Sequence, residues 1–316
     1  MAVYTRLTRL EIEEHLQKYP LGKLIDFKEI IEGIDNSNFI FTSEKGRFIL
    51  TIFESRIDKN SLPFFINFKL HLAQKGICCP RPILDNSGSN IAELKEKKSA
   101  IVTFLNGKNL CDEIGINHCF EVGKILAQLH EAAKDFQMSR ENDLGINGFK
   151  PLFSKFDHLL ENYQKKLREE ILENLDFLKK SWRFDLPSAA THLDLFPDNV
   201  FFDQEQKISG VIDFYFAAND ALIYDFAITA NAWCFDEKNN FDAEKFSELT
   251  RGYESVRKFS ETEKDFLKIA LVGAAMRFLL TRLHDMFFTP ENSFVKIKNP
   301  QEYLTKLNFF KSQIWV

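Results

Sequence analysis

Three polar residues late in the chain have the types and the spacing that phosphoryl transfer requires. Asp194 and Asn199 lie at two ends of one short stretch, HLDLFPDNVFF, and Asp213 follows a second apolar run in GVIDF. Transfer from a nucleotide needs a carboxylate that orients the attacking hydroxyl and accepts its proton, and hard oxygen ligands for Mg²⁺. We therefore predict Asp194 as the general base and Asn199 and Asp213 as metal ligands.

A β-hairpin is needed to bring these residues together. Residues 200–202 and 208–212 have strand composition, and the polar residues 203–206 between them have turn composition. Antiparallel pairing of the two runs returns the chain to its starting point. Asp213 is therefore expected beside Asn199.

Three other polar residues are expected to support the loop rather than to react. His192, just before the base, is expected to bond backbone groups around it. Asp225 is expected to buttress the loop by hydrogen bonding, and His130 to act as an internal brace. Asn231 and Trp233 lie in a helical pattern, where such residues usually belong to the core.

The elements around the hairpin fall into two classes. Apolar residues form short strand-like runs near the N-terminus and recur with helical period further along, so the sequence predicts an α+β protein. A β-rich lobe is expected at 1–105 and a helical lobe at 106–316. Expected strands are 27–31, 37–42, 47–53, 82–84 and 100–104, and expected helices are 8–19, 62–75, 118–134, 153–178, 221–233, 243–254 and 261–286.

The pattern His-x-Asp-x4-Asn followed by Ile-Asp-Phe resembles the catalytic and metal-binding loops of kinases. The Leu-x-Pro-Asp-Asn core is similar to the aminoglycoside-phosphotransferase and choline-kinase superfamily, and within it to the homoserine kinase family. The resemblance implies a protein-kinase-like bilobal fold, ATP and Mg²⁺ as cofactors, and phosphorylation of the hydroxyl of homoserine, a small-molecule partner, in the cytoplasm. It extends over nearly the whole chain, through residues 2–5, 33–39, 48–51, 193–202 and 212–217.

The resemblance also implies where the nucleotide binds. In this fold the turn between the first two strands covers the phosphates, and the connection between the lobes meets the adenine ring. A hydroxyl on the third strand can reach a phosphate. The residues implied at these places are Gly33, Ser37, Asn38, Thr51, Thr103, Phe104 and Leu105.

Two positive charges that many kinases use for phosphates are missing. Thr51 stands where a strand lysine would be, and the helix expected at 62–75 has no acidic residue to hold one. Phe196, two positions after the base, stands where a second cation would be. Arg56 and Lys69 are candidates to replace the first charge, although we favour a solvated surface position for each.

Homoserine carries an ammonium and a carboxylate, and a bidentate arginine is the best partner for the carboxylate. Arg277 and Arg282 lie on one expected helix at about 140° from each other around its axis, so one face cannot present both equally. We predict Arg277 as the main partner and keep Arg282 as the second candidate. Asp198 is the candidate partner for the ammonium, and Tyr215 is a candidate for lining the pocket.

Composition limits the alternatives. The net charge of -5 argues against general affinity for nucleic acid. The five cysteines form no CxxC pair, so reduced thiols are expected, and neither a secretory signal nor a membrane span is expected. Two other functions stay open: phosphorylation of another hydroxyl compound, such as an aminoglycoside, choline or methylthioribose, and a pseudokinase that binds nucleotide without turnover. The sequence specifies no oligomeric state.

Overall fold

The computed structural model describes residues 5–30, 36–54, 60–110, 114–290 and 297–313. Two residues considered above, Gly33 and Arg56, lie outside these ranges. Within them an antiparallel sheet is followed by a mainly helical region, which confirms the expected α+β class. None of the helices in the described ranges is long and apolar enough to cross a membrane.

The N-terminal sheet has five antiparallel strands in the order β1–β2–β3–β5–β4. Phe39 and Leu50 of the central strands share a buried core with helix α1 (Arg9–Leu16). Thr8 and Glu11 cap that helix by reciprocal hydrogen bonds, so the expected helix and meander are both confirmed. The strands are β1 (Leu24–Ile30), β2 (Asn36–Ser43), β3 (Gly46–Phe53), β4 (Ala92–Leu94) and β5 (Lys97–Thr103).

Helix α2 (Leu62–Gln74) joins the sheet to the helical region. Its Phe65 and Phe68 belong to a second, larger core that also includes Phe53 of β3 and most of the helices. Because α2 contributes to this core, its side chains face the loops that carry the predicted metal ligand: Phe68 packs edge-on against Phe214, with ring centroids 5.9 Å apart.

The helical region supplies the rest of the larger core. Its longest helix, α8, packs against α6, whose residues are almost all buried. The helices are α3 (Ile116–Ala133), α4 (Ile146–Phe153), α5 (Asp157–Ser181), α6 (Leu222–Trp233), α7 (Ala243–Glu254), α8 (Glu261–Phe288) and α9 (Gln301–Ser312).

Several elements differ from expectation. The strand expected at 82–84 is a single bridge between Pro82 and Val102, because a proline has no N–H to donate to a ladder. The helix expected at 153–178 begins later, as α5 at Asp157 after a turn at 154–156, and α4 precedes it. No pattern in the sequence predicted α4, α9 or the short strands β4, β6, β7 and β10.

Five short strands in the helical region hold the predicted catalytic segments. One sheet has the order β6–β8–β9, and a separate antiparallel pair joins β7 to β10. The loop after β7 and the segment after β9 therefore start from two different sheets. The strands are β6 (Lys108–Asn109), β7 (Ser188–Thr191), β8 (Val200–Phe202), β9 (Ile208–Val211) and β10 (Ala218–Ala221).

Candidate active site

The predicted base lies in a loop that is closed by the predicted metal ligand. The loop begins after β7 and ends in a short 3-10 turn at Pro197–Asn199. The side-chain amide of Asn199 donates to the backbone carbonyl of Asp194 at 2.8 Å and to its carboxylate Oδ2 at 3.2 Å. Both amide hydrogens are thereby used, which leaves Oδ1 of Asn199 as the atom able to bind a cation.

The hairpin brings Asp213 to the same loop, as the sequence predicted. β8 and β9 pair antiparallel, and just beyond them the N–H of Ile212 donates to the carbonyl of Asn199 at 2.9 Å. Asp213 is exposed and has φ +62°, and Leu193, beside Asp194, has φ +61°. This left-handed conformation is costly for residues with a side chain and is concentrated at functional sites.

A buried carboxylate holds the loop from behind. Asp225 accepts the backbone N–H groups of Leu193 and His192 at 2.8 and 2.9 Å, and its Oδ2 also accepts from His130 Nε2 at 3.0 Å. Burial raises the pKa of Asp225, but the hydrogen bond and charge of His130 and the proximity of His192 more than offset this and hold the pKa below its ordinary value. The expected bracing roles of Asp225 and His130 are confirmed.

His192 is held as a neutral imidazole that links the two loops. Its Nδ1 accepts from the N–H of Asp194 at 3.2 Å, and its Nε2 donates to the carbonyl of Ile212 at 2.9 Å. Burial lowers its pKa. Both ring nitrogens have fixed backbone partners, so His192 positions the loops rather than taking part in proton transfer, which confirms its expected structural role.

The surroundings of Asp194 suit a general base. Burial raises the pKa of its carboxyl group to about 7; Asp213 and Asp198 act in the same direction, whereas Arg277 and Lys298 oppose it. Such a carboxylate is more basic than an ordinary aspartate and is still ionised in a large fraction of molecules at neutral pH.

Arg277 of α8 brings an unpaired guanidinium to this site. The residue is 2% exposed, and its Nε and Nη1 atoms have no hydrogen-bond partner among the described residues. Its guanidinium carbon lies 5.6 Å from the ring centroid of Phe216 and 5.0 Å from that of Phe278. The hydroxyls of Tyr224 and Tyr303 are buried near Arg277, whose charge opposes the rise in their pKa that burial causes. They also have no hydrogen-bond partner in the described part of the chain. Buried polar groups without partners are costly, so this cluster indicates a ligand site.

The other acceptor candidates are placed differently. Arg282 donates from Nη1 to Glu302 at 2.5 Å and to the carbonyl of Asn299 at 2.9 Å. Its charge is thus balanced within the chain, and we do not retain it as a substrate contact. Asp198 is exposed at the 3-10 turn, where a ligand can reach it.

Neighbouring strands present Asn38 and Thr51 side by side. Thr51 Oγ1 donates to Asn38 Oδ1 at 2.8 Å, and Thr51 also shares a hydrogen bond with the phenol of Tyr215. Tyr215 therefore lies against β3, and we remove it from the acceptor pocket.

Ser37 Oγ donates to Glu54 at 2.7 Å on the opposite face of β2, because successive strand residues alternate in direction. We therefore leave Ser37 out of the nucleotide site.

The connection after β5 leaves the backbone N–H of Leu105 available. The N–H groups of Thr103 and Phe104 donate to backbone carbonyls at 3.0 and 3.2 Å. Across the described ranges, the N–H of Leu105 has no such partner. Leu105 packs directly on Gly210 of β9, where a Cβ atom would lie 2.5 Å from its Cδ1. The connection is thus held against the catalytic hairpin, with the amide of Leu105 left for a ligand.

Lys69 is buried, so the surface position favoured from the sequence is wrong. The residue is 4% exposed, and its Nζ lies 4.9 Å from the ring centroid of Tyr215. Burial lowers its pKa to about 8, against the opposing charges of Cys79 and Asp213. Helix α2 packs into the larger core on the side that carries Lys69, and only the tertiary contacts reveal this. The result is a positive charge close to the predicted metal ligand.

Lys298 is a second cation near the base, and the sequence did not reveal it. It is exposed, and its Nζ lies 5.5 Å from the ring centroid of Phe196. The segment before α9 has no motif of its own. The one available signal was the missing cation at position 196, which could have prompted a search for a substitute elsewhere.

The residues present fit Mg²⁺. The described residues include no group of three or more His, Cys, Asp and Glu able to hold a metal on their own. Mg²⁺ in nucleotide sites takes one or two protein ligands together with phosphates and water rather than a complete protein cage. The amide oxygen of Asn199 and the carboxylate of Asp213, on loops joined by a backbone hydrogen bond, provide hard oxygen ligands of this kind.

Comparison with known proteins agrees with this geometry. A model of the phosphotransferase enzyme family matches residues 26–259. The homoserine kinase of Agrobacterium fabrum is 44% identical over 312 residues, which cover 99% of this chain and 96% of the relative. The chain belongs to the homoserine kinase family. A second member of the homoserine kinase family, from Parvibaculum lavamentivorans, is 43% identical over 98% of this chain and 96% of its own.

Solved structures define the fold of this homoserine kinase family member. An amicoumacin kinase in complex with AMP-PNP and Ca²⁺ matches with a TM-score of 0.69 and 17% identity, over 97% of this chain and 92% of that one. Choline kinase from Cryptosporidium parvum matches with a TM-score of 0.70 and 15% identity, over 96% of this chain and 94% of that one. These matches confirm the expected protein-kinase-like fold.

Proposed function

We propose that this chain transfers the γ-phosphoryl group of ATP to the hydroxyl of L-homoserine, giving O-phospho-L-homoserine and ADP. The observation that carries the proposal is the pair of joined loops holding Asp194, Asn199 and Asp213, in a chain with a homoserine kinase relative that is 44% identical. A bond forms between the hydroxyl oxygen and the γ-phosphorus, and the bond from that phosphorus to the β–γ bridging oxygen breaks.

Asp194 orients the hydroxyl of homoserine and takes its proton as the new bond forms. Its raised pKa makes it a suitable acceptor near neutral pH. The hydrogen bonds from Asn199 and the bracing by Asp225 hold the loop in one conformation. The reacting carboxylate is thus placed before the substrates arrive, which reduces the entropy cost of reaching the transition state.

Asn199 and Asp213 hold Mg²⁺, which when bound neutralises charge on the β- and γ-phosphates of ATP. Lys69 is buried near Asp213 and adds positive potential, which can compensate for the strand lysine that Thr51 replaces in this chain. Asn38 and Thr51 offer polar atoms to the phosphates; Gly33, which the resemblance implies at the same place, lies outside the described residues.

The adenine ring binds at the connection between the lobes. The backbone N–H of Leu105 has no partner among the described residues, and the backbones of Thr103 and Phe104 frame it. We accordingly propose that residues 1–105 form the nucleotide-binding lobe and residues 106–316 the lobe that carries the catalytic loop and the acceptor site.

Arg277 binds the carboxylate of homoserine. Two of its nitrogens are buried without partners in the described chain, and a carboxylate would supply the missing acceptor and charge. The rings of Phe216 and Phe278 flank the guanidinium and limit its movement. Asp198, exposed near the base, faces the ammonium of the same substrate.

The thiols support a reducing compartment. The described cysteines at positions 78, 79, 119 and 234 are all free. Free thiols are characteristic of reducing compartments, and we propose that the reaction takes place in the cytoplasm.

The decisive experiment measures ADP release by the purified protein with ATP, Mg²⁺ and a panel of alcohols. Homoserine should give the highest kcat/KM. Release with choline, methylthioribose or an aminoglycoside in its place would assign the chain to another acceptor. Nucleotide binding without release for any alcohol would indicate a pseudokinase.

A further inference from the structure

A cation from a distant part of the chain lies near the position where the catalytic loop lacks one. Phe196 stands two positions after the base, and the Nζ of Lys298 lies 5.5 Å from the centroid of its ring. The charge of Lys298 also acts on the carboxyl group of Asp194. We propose that Lys298 binds the γ-phosphoryl group of ATP and stabilises its charge during transfer. This inference rests on the proposed function and adds a residue to it.

The backbone around Lys298 is anchored to α8. Arg282 donates to the carbonyl of Asn299 at 2.9 Å and pairs with Glu302 at 2.5 Å. The side-chain oxygen of Asn299 in turn accepts the N–H of Gln301 at 2.9 Å, which closes the start of α9. These contacts fix the chain on the C-terminal side of Lys298. Arg282 thus acts as a positioning residue for the lysine rather than as a contact for the substrate.

The proposed reaction brings two anionic groups to Asp194, the carboxylate of homoserine and the γ-phosphoryl group of ATP. Two cations of different chemistry lie near this residue. Arg277 is buried between aromatic rings, and its planar guanidinium suits a carboxylate. Lys298 is exposed and makes no ion pair with any described residue, so its ammonium can follow a phosphoryl group that enters with ATP. A flexible point charge suits a group whose oxygens move during transfer.

Kinetics of Lys298→Met test the assignment. We expect kcat to fall about 10²- to 10³-fold, as when one preorganised donor to a developing charge is removed, while KM for homoserine changes little. Lys298→Arg should recover part of kcat because it keeps the charge. Lys311→Met, at an exposed lysine of α9, is the matched control and should behave as the wild type. An unchanged kcat, or a higher KM for homoserine at constant kcat, would overturn the proposal.

A binding measurement tests Lys298 without turnover. Titration calorimetry with Mg²⁺ should show that Lys298→Met weakens AMP-PNP while leaving the affinity for ADP unchanged, because only AMP-PNP carries the γ-group. An equal effect on both nucleotides, or none on either, would contradict the assignment. This result does not depend on the acceptor. Failure of the proposed function would appear separately, as no homoserine-dependent ADP release by the wild type.

Discussion

The side-chain amide of Asn199 donates to both the backbone carbonyl and the carboxylate of Asp194, at 2.8 and 3.2 Å. A single residue therefore orients the proposed base and offers its remaining oxygen to the proposed metal site. The orientation of the amide follows from this pairing, since a flipped amide would place an oxygen against two acceptors. Base and metal site are thus built as one unit, and a change at Asn199 should affect both.

The pH dependence of the reaction should follow the carboxyl group of Asp194. Its pKa of about 7 means that the base becomes protonated, and kcat/KM for homoserine declines, as the pH falls through neutrality. Lys298→Met removes a cation that lowers this pKa, so the acidic limb of its residual activity should move to higher pH. Rate profiles at saturating Mg²⁺ and ATP measure both effects. A wild-type profile that is flat across neutrality would contradict the assignment of the base.

Lys69 should reduce the stability of the fold at neutral pH. Its pKa is lowered from 10.5 to about 8, so the unfolded chain binds more protons between these values and the free energy of unfolding rises with pH across this window. Methionine has a similar shape and no charge. We expect Lys69→Met to be more stable than the wild type by about 1–3 kcal/mol at pH 7, after allowing for the lost contact with the ring of Tyr215. The difference should shrink towards pH 10.

Urea unfolding at both pH values measures this effect of Lys69, with Lys311→Met as the control for loss of a charge at the surface. A variant that is less stable than the wild type at pH 7 would show that the ammonium is already well compensated in the fold. The nucleotide affinity of the same variant tests the functional half of the argument: it should fall if the charge beside Asp213 serves phosphate binding.

The local sequence pattern was sufficient to predict the hairpin and the loop, because both depend on neighbouring residues. Asp213 reaches Asn199 through two short strands and one turn, and each has its own composition. Lys69 and Ser37 could not be placed in this way. Whether a lysine on a helix is buried depends on what packs against that helix, and which face of β2 carries Ser37 depends on the register of the strand, which a shift of one residue reverses.

The different roles of Arg277 and Arg282 also depend on contacts between distant segments. Helix geometry showed that the two could not share one face, but the sequence did not contain a signal for α9, which supplies the partner of Arg282. Lys298 comes from that same unpredicted segment. Residues whose function depends on contacts between distant segments are those that the pattern missed.

Arg277 should decide between homoserine and its alcohol analogue. Homoserinol lacks the carboxylate, so the wild type should have a lower kcat/KM for it than for homoserine. The difference should correspond to about 2–5 kcal/mol of lost transition-state binding, the usual cost of leaving one member of a buried pair without its partner. Arg277→Met should lose most activity with homoserine and nearly all of the discrimination. Arg251→Met, at an exposed arginine of α7, is the control. Equal kcat/KM for the two alcohols in the wild type would exclude the carboxylate contact.

Asp194→Asn tests the division of roles within the site. Asparagine keeps the shape of the side chain but cannot accept the proton of the hydroxyl, so kcat should fall about 10²- to 10⁴-fold, the usual contribution of a general base. The Kd for ATP with Mg²⁺ should change little, because Asn199 and Asp213 hold the metal. Loss of ATP binding together with turnover would instead show that Asp194 is a metal ligand or a structural residue. If the protein is a pseudokinase, the wild type will give no homoserine-dependent ADP release. Measuring the wild type beside the variant therefore also tests whether the protein catalyses the reaction at all.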